Sequence, residues 1–337
     1  MTSSPDLRHL IALSDEHGTF EHARYLEPRR EHGYCADDVA RVLVVTAREP
    51  DPSPEVRRLA AGSLWFLIDA QDEIGRTRNR RSADGAWHGR HTVEDCWGRS
   101  LWAFGTAVEH TTGAMAATAL VHFERGAQRR SPFPRSMAHA ALGAAAVLQA
   151  QPGNPTAIAL LADAVQVDVV GRPGADAAWP WPEPRLAYAD AVLPDALLAA
   201  GTALDRPDLV DEALSLLGWL LDRQTVEGHL SVTPGGGAGP GDQHGFDQQP
   251  IEVAMLAEAC ARAAALTGDP RWATGVRMAG AWFDGDNDAG AVMWDERSGG
   301  GYDGLQLDGP NLNQGAESTI ALLATRQLVQ VIDRVPA

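Results

Sequence analysis

The sequence predicts an all-α fold in which twelve helices form six hairpins of a closed (α/α)6 toroid, with elaborated loops on one face. Three observations support this prediction. Alanine and leucine dominate, and apolar residues recur at helical spacing through most of the 337 residues. Short and long links alternate between the helices. The hairpins share no repeat period of the kind seen in open helical solenoids, which favours a closed ring.

Apolar spacing and turn residues place the predicted helices in order along the chain. They cover residues 4–14, 37–48, 54–70, 95–110, 114–126, 135–150, 155–169, 188–202, 207–223, 249–267, 270–283 and 315–333. Taken in pairs they make the six hairpins, with an inner and an outer ring. The toroid requires a pocket where the inner helices begin.

The links between the predicted helices fall into two classes. Turn-like links such as TTG and QPGN follow the second, fourth, sixth, eighth and tenth helices. Long links precede the second, fourth, eighth, tenth and twelfth, at residues 15–36, 71–94, 170–187, 224–248 and 284–314. Every second connection in a stack of antiparallel helices lies at the same end, so we expect the long loops to share one face. The Gly-rich stretch 233–245 is too short for a linker, and we predict a single domain over residues 1–337.

Composition and charge exclude several classes of partner. The net charge of −17 would repel a phosphate backbone or an anionic membrane, so neither nucleic acid nor a membrane is expected as a partner. Uninterrupted apolar runs are too short for a membrane span. Cys35, Cys96 and Cys260 are widely spaced without a CxxC motif, which predicts a reduced, cytoplasmic protein. No histidine or cysteine spacing indicates a metal site, and we expect no cofactor.

The long loops are rich in aromatic rings, acids, amides and arginine. All four tyrosines lie in these loops or at the adjacent helix starts, as do Trp87, Trp97, Trp179, Trp181 and Trp294. A sugar ring stacks its C–H faces on aromatic side chains, while its hydroxyls need fixed donors and acceptors. Five loops that share this chemistry predict a carbohydrate-binding pocket.

Hydrolysis of a glycoside needs one carboxylic acid to protonate the leaving oxygen and one carboxylate that activates water or attacks. The candidate catalytic residues are Glu183, Glu317, Asp38, Asp95 and Asp247. The candidate substrate-binding residues are His32, Tyr34, Asp37, Arg41, Trp97, Arg99, Trp179, Trp181, Tyr188, Asp190, Gln248, Gln249, Tyr302, Asp303, Asn313 and Gln314. We favour Glu183 as the acid, because nearby tryptophans would raise its pKa, and Glu317 as the base.

Structural explanations compete with these roles. One acid of the Asp37–Asp38 pair would cap the second helix while the other holds a sugar hydroxyl or a water. Glu252 follows QQP and is typical of a capping arrangement. Glu317 near a helix start could simply complement the helix dipole, and Trp179 and Trp181 could pack a stiff, proline-rich loop.

Five stretches together resemble a known family. They are GTFEHARY, HGYCADDVAR, WPWPEPRLAYADAVLPDALLAAG, FDQQPIEVAMLAEAC and GGGYDGLQLDGPNLNQGAEST. The chain resembles, from about residue 14 to residue 325, a bacterial six-hairpin glycosidase-like (α/α)6 family, whose members are often grouped with or fused to glycosyltransferases. The resemblance implies the toroid fold and a carbohydrate-directed pocket. Toroids of this kind mostly resemble inverting enzymes.

We therefore predict an inverting glycoside hydrolase that acts on an oligosaccharide or glycoside. Three alternatives stay open. A glycoside phosphorylase would bind phosphate through Arg41, Arg90 and Arg99. A sugar epimerase would use a histidine pair, for which His32 and His244 are available. A glycan-binding protein without catalysis is the third, and the oligomeric state is left open.

Overall fold

The helices form two concentric rings. The computed structural model describes residues 5–166, 174, 176, 178–242 and 244–334. In these residues the helices are α1 (Arg8–Ala12), α2 (Ala36–Ala47), α3 (Pro54–Ala70), α4 (Asp95–His110), α5 (Gly113–Gly126), α6 (Pro134–Ala150), α7 (Pro155–Gln166), α8 (Val192–Ala203), α9 (Pro207–Arg223), α10 (Pro250–Thr267), α11 (Pro270–Phe283) and α12 (Ala316–Arg334). The predicted all-α (α/α)6 toroid is confirmed.

The inner ring is closed. The even-numbered helices α2 to α12 each contact the next, and α12 returns to contact α2. The Nε2 atom of Gln327 on α12 donates to the carbonyl of Val45 on α2 at 2.8 Å. Helices α3, α5, α7, α9 and α11 pack outside the inner helices that precede them, while α1 packs on α12 and α3. An open solenoid is therefore excluded.

Proline and capping residues explain why most helix starts could be predicted. Proline stands in the first turn of the five helices named below. At this position its missing N–H removes no hydrogen bond from the helix. These residues are Pro54, Pro134, Pro207, Pro250 and Pro270. In addition, Ser53 and Asp269 accept the backbone N–H groups of Val56 and Arg271.

Two predicted helices begin later than expected. Helix α8 starts at Val192 and not at residue 188, because Ala189 has a φ of 48° and Glu252 accepts the N–H groups of Ala189 and Asp190. Helix α1 is shorter than 4–14, since the Asp6 carboxylate accepts the N–H of Arg8. The predicted end of α7 at residues 167–169 lies outside the described residues.

The long links contain short antiparallel strands that the sequence analysis did not predict. They are β1 (Ala23–Arg24), β2 (Glu27–Pro28), β3 (Tyr34–Cys35), β4 (Arg80–Arg81), β5 (Trp87–His88), β6 (Thr225–Val226), β7 (His229–Leu230), β8 (Gly304–Gln306) and β9 (Gly309–Asn311). Strands β3, β4 and β5 form one sheet, in which Tyr34 pairs with Arg81. This sheet joins the links before α2 and α4, so the loops brace one another.

The three cysteines, Cys35, Cys96 and Cys260, are buried and form no disulfide. In the part of the chain that the structure describes, no helix combines the length and apolar character needed to cross a membrane. The single-domain organisation and the cytoplasmic location stay predictions.

Candidate active site

A cavity of about 310 Å³ lies where inner helices begin. Helices α2, α4, α10 and α12 contribute residues at or near their N-termini, and three long links supply the rest. Its lining consists of Glu21, His22, Cys35, Asp37, Asp38, Arg41, Arg80, Arg99, Gln249, Asp303, Gly315, Glu317 and Ser318. Segments far apart in sequence therefore meet at this cavity, as the alternation of short and long links indicated.

The buried guanidinium of Arg41 bridges two carboxylates of the cavity. Its Nη1 donates to Oε2 of Glu317 at 2.7 Å, and its Nη2 donates to Oδ1 of Asp38 at 2.9 Å. The side chain of Glu317 is 42% exposed, whereas that of Asp38 is 4% exposed. Arg41 thus holds two acids from opposite ends of the sequence, the enclosed Asp38 and the more accessible Glu317.

The two carboxylates that Arg41 bridges differ in proton affinity. Burial raises the pKa of Asp38 to about 7, with Arg41 opposing the rise and Glu317 and Glu21 adding to it. Burial also acts on Glu317, but Arg41 and then Arg99 outweigh it and lower the pKa of that carboxyl. Below about pH 7 the pair therefore holds one proton on Asp38 and a charge on Glu317, the pattern of an acid and a base.

Asp37 holds a second arginine and does not cap α2. Its Oδ1 accepts from Nη1 of Arg99 at 2.9 Å, and its Oδ2 accepts from Nδ2 of Asn79 at 2.8 Å. The prediction that Asp37 or Asp38 caps the helix is wrong, because α2 has no capping bond from its N-cap residue Cys35, and Asn79 accepts the N–H of Asp37 at 3.4 Å. Burial opposes ionisation of Asp37, but Arg99 and Arg41 lower its pKa.

A second cluster surrounds Arg135 at the start of α6. Its two terminal nitrogens donate to the two carboxylate oxygens of Glu183, each at 2.8 Å, and Nη2 also donates to Oδ1 of Asp190 at 2.8 Å. Both carboxylate oxygens of Glu183 therefore already accept hydrogen bonds from one arginine. This geometry does not suit Glu183 to the role of general acid that we favoured from the sequence.

Tyr188 and Asp95 connect the two clusters. The Tyr188 ring lies 5.0 Å from the Arg135 guanidinium, and its hydroxyl donates to Oδ2 of Asp95 at 2.6 Å. Asp95 also accepts from Oγ of Ser136 at 2.8 Å and lies 3.7 Å from Nη1 of Arg99. Burial works against ionisation of Asp95, but Arg99 and then the hydroxyl of Tyr188 lower its pKa. A continuous charged network therefore crosses α2, α4 and α6.

Glu252 orients the segment that precedes α8 and is not part of a capping arrangement of α10. Its Oε1 accepts the N–H of Ala189 at 2.6 Å and its Oε2 accepts that of Asp190 at 3.4 Å, while Gln249 makes no side-chain cap bond. Burial and then the nearby Asp190 raise the pKa of Glu252 to about 8. Among the described atoms, Oδ2 of Asp190 is buried without a hydrogen-bond partner. This acidic pair is therefore buried and carries a proton at neutral pH.

The contribution of Glu252 to the free energy of unfolding should fall by up to about 1.4 kcal/mol per pH unit as the pH rises from about 5 to about 8. The sign follows because folded Glu252 keeps its proton after the unfolded chain, with a pKa near 4.5, has lost it. In urea unfolding across this range, the free energy of unfolding of the wild type minus that of Glu252→Gln should fall as the pH rises. Glu227→Gln, at an exposed turn, is the control, and equal slopes for all three proteins would contradict the assignment.

Several predicted binding residues are enclosed in packing. Trp97 is fully buried and donates to the carbonyl of Gly126 at 3.2 Å. Trp179 and Trp181 are buried against Trp219, with ring centroids at 5.1 and 6.1 Å. Neither reaches the cavity, so the packing explanation describes both. Tyr34 is also buried and donates its hydroxyl to Asp15.

Other predicted residues lie in loops around the cavity. Gln248 is buried and donates to Asp288, and Gln314 accepts from Oγ of Ser298 at 2.6 Å. Asn313 accepts the N–H of Tyr25, and Tyr302 packs partly buried against the core. Three further residues, Asp247, His32 and His244, are exposed outside the lining of the cavity. Within the predicted set, those that line the cavity are Asp37, Asp38, Arg41, Arg99, Gln249, Asp303 and Glu317.

Five residues of the cavity and its surroundings were not predicted from the sequence, namely Glu21, His22, Arg80, Asn79 and Arg135. Arg135 occupies the second position of α6, and the rule that inner helices begin at the pocket could have identified it. Glu21 and Arg80 form an ion pair across two links that are distant in sequence, and no local pattern signals such a pair.

Three ligand atoms of Glu21, Cys35 and Asp38 lie within 4.8 Å of one another, the spacing of a metal site. However, Glu21 is ion-paired with Arg80, and burial raises the pKa of the Cys35 thiol, which disfavours the thiolate that metals bind. The chemistry of this donor set does not favour a metal.

Comparisons with known proteins identify the fold. No family model and no curated protein matches the sequence. Among solved structures, the cellobiose 2-epimerase from Bacillus thermoamylovorans has a TM-score of 0.72 at 13% identity, over 98% of this chain and 96% of that one. A D-mannose isomerase has a TM-score of 0.68 at 11% identity, over 95% and 94%. A glycoside hydrolase family 9 endoglucanase has a TM-score of 0.61 at 12% identity, over 92% of this chain and 74% of that one.

Proposed function

We propose that this protein is a carbohydrate-active enzyme that hydrolyses a glycosidic bond, with Asp38 as general acid and Glu317 as general base. The observation that supports this assignment is the single guanidinium of Arg41, which bridges an enclosed acid of raised pKa and an accessible carboxylate of lowered pKa. Pairs whose pKa values are pushed apart in one cavity are the usual mark of acid and base roles.

In this mechanism, Asp38 gives its proton to the glycosidic oxygen as the bond from that oxygen to the anomeric carbon breaks. Glu317 takes a proton from a water molecule whose oxygen forms the new bond to the anomeric carbon. Arg41 donates to both carboxylates and stabilises the charge that moves from Glu317 to Asp38. Asp37 and Arg99 keep their charges and border the reacting sugar. The inverting outcome stays a proposal.

Phosphorolysis is less well supported because the cavity arginines already have acidic partners. Arg41 is bound by Asp38 and Glu317, Arg99 by Asp37, and Arg80 by Glu21. An incoming phosphate would have to displace these carboxylates at a site where acids are in excess. Arg90, the third arginine proposed from the sequence, is exposed and does not line the cavity.

Sugar epimerisation is the second candidate, and two observations favour it. The cellobiose 2-epimerase and the mannose isomerase align with higher TM-scores than the endoglucanase. In addition, the rings of His22 and His32 lie 5.1 Å apart, and His22 lines the cavity. This differs from the pair His32 and His244 considered from the sequence. An imidazole pair could move the proton on the carbon beside a sugar carbonyl.

A product assay separates these functions. The purified protein is incubated in D2O with cello-, manno- and malto-oligosaccharides, with and without inorganic phosphate. Hydrolysis should release shorter sugars without phosphate and without deuterium on carbon, whereas epimerisation through proton abstraction should incorporate deuterium at the epimerised carbon. Sugar phosphates that form only when phosphate is added would instead establish phosphorolysis.

With an identified substrate, kcat/KM should fall about tenfold per pH unit above about pH 7. The reason is that Asp38 acts only with its proton in place, and it loses that proton near pH 7. A pH–rate profile measured from pH 5 to pH 9 checks this, with folding followed by circular dichroism at each pH. A rate that stays constant up to pH 9 would exclude Asp38 as the acid.

A further inference from the structure

A second, larger groove lies beside the cavity. It has a volume of about 870 Å³, compared with about 310 Å³ for the cavity. Its walls are the β1–β2 hairpin with the residues that follow it, and the β8–β9 hairpin with residues 312–313. The proposed chemistry uses no part of this groove.

The same two loops border the groove and the cavity. Glu21 and His22 line the cavity, and the next residues along the chain, from Ala23 onward, line the groove. On the opposite wall, Asp303 and Gly315 line the cavity, while residues between them line the groove. A chain-like ligand that ran from the cavity along these two loops would enter the groove.

Tyr25 presents an aromatic ring at the groove. Tyr25 is 59% exposed. Its φ of 53° is a backbone conformation that few residues other than glycine adopt. The opposite wall holds this conformation, since Oδ1 of Asn313 accepts the N–H of Tyr25 at 3.0 Å and the carbonyl of Tyr25 accepts the N–H of Gln314 at 3.0 Å. The backbone of Tyr25 is thus held in place, and its ring is open to a ligand.

The rest of the lining suits a neutral polyhydroxyl chain. Amide side chains of Gln306, Asn311 and Asn313 offer donors and acceptors for hydroxyl groups. The charged lining residues balance, because Arg24 and Arg29 stand against Glu27 and Glu31. This balance gives no net attraction for a polyanionic glycan.

We propose that the groove binds the additional sugar units of a neutral, linear oligosaccharide, with Tyr25 as a stacking platform. The inference rests on the proposed function, because it extends the substrate that occupies the cavity. It defines the substrate class as an oligosaccharide and not a monosaccharide or a simple glycoside.

Binding is measured by calorimetry with the Glu317→Gln variant, so that the result does not depend on turnover. The probes are cello-, manno- and malto-oligosaccharides of two to six units, with oligogalacturonides as charged comparators. We expect affinity for one neutral series to rise with chain length. Tyr25→Ala in the same background should lower affinity for the longest chain by roughly 3- to 10-fold, and Tyr25→Phe should restore it.

Trp65→Ala is the matched control, because Trp65 is an exposed aromatic on the outer helix α3 and is 62% exposed. It should leave the affinity for every chain unchanged. Four results would each overturn the inference. They are affinity that does not depend on chain length, an equal effect of both alanine variants, preference for the galacturonides, and no binding in any series. If binding depends on chain length and requires Tyr25, but the wild type turns over none of the oligosaccharides, the proposed binding role of the groove is supported and only the proposed hydrolase function is rejected.

Discussion

Replacing Glu317 with glutamine should lower kcat by about 10²- to 10⁴-fold on the substrate found by the product assay. Glutamine has nearly the same shape and can still accept the hydrogen bond from Nη1 of Arg41. It cannot take a proton from water, so the step that makes the nucleophile is lost. Substrate binding should persist, because the other cavity residues are unchanged, and the loss should fall on kcat more than on KM.

The control for this variant is Asp195→Asn. Asp195 lies on α8, is buried, and accepts from Nε of Arg262 at 2.5 Å, but it does not line the cavity. This substitution also removes a buried carboxylate paired with arginine, and it should lower stability while leaving kcat per folded molecule near the wild-type value. Turnover that survives in Glu317→Gln, or an equal loss in both variants, would reject Glu317 as the base.

Asp38→Asn provides a check on the other half of the pair. An amide at this position cannot protonate the leaving oxygen, although it can still accept from Nη2 of Arg41. Substrates whose leaving group needs no proton should therefore retain more activity in this variant than in Glu317→Gln. This comparison separates the acid role from the base role within one cavity.

The fold could be predicted because its signals are local or periodic. Helical spacing, proline in the first turn and short turns give the helices, and the alternation of link lengths gives the ring and the face that carries the site. The start of α8 was missed because it depends on Glu252, which lies more than sixty residues away and accepts the N–H groups of Ala189 and Asp190. The two- and three-residue strands likewise depend on which loops the ring brings together.

The candidate site agrees with the sequence in its position at the inner helix starts, and the proposal keeps Glu317 as the base but replaces Glu183 by Asp38 as the acid. Asp38, Arg41 and Glu317 stand at inner helix starts, and the sequence analysis selected all three. Glu183 was favoured as the acid because tryptophans precede it, but those rings pack on Trp219 and Arg135 binds the carboxylate. Which acid meets which arginine depends on the order of helices around the ring, and no sequence spacing encodes that pairing.

A seam of glycines between α4 and α6 brings Ser136 on α6 within hydrogen-bond distance of Asp95 on α4. A Cβ atom built on Gly98 would lie 2.2 Å from the carbonyl oxygen of Ser136, and one built on Gly105 would lie 2.1 Å from that of Gly143. Ser136 itself donates to Asp95, and Arg99 follows Gly98 directly. The close approach of the two helices therefore sets the distance between Asp95 and the start of α6.

Gly143→Ala should lower the free energy of unfolding by about 3 kcal/mol or more. A Cβ on this residue would lie 2.2 Å from the carbonyl oxygen of Leu101, and because the obstacle is backbone in a buried helix, the helices must separate to relieve it. Urea denaturation followed by circular dichroism measures the loss. We also expect lower turnover per folded molecule, since separation of α4 and α6 would lengthen the bond from Ser136 to Asp95.

Gly62→Ala is the matched control for this substitution. Gly62 lies in the exposed face of α3, where a built Cβ meets no atom within 4 Å, so alanine should be neutral or stabilise the helix by up to about 1 kcal/mol. The opposite signs expected for the same chemical change follow from helix packing and not from helix propensity. If Gly143→Ala proved as stable as Gly62→Ala, α4 and α6 would have to be farther apart than the backbone contacts at Gly98, Gly105 and Gly143 allow.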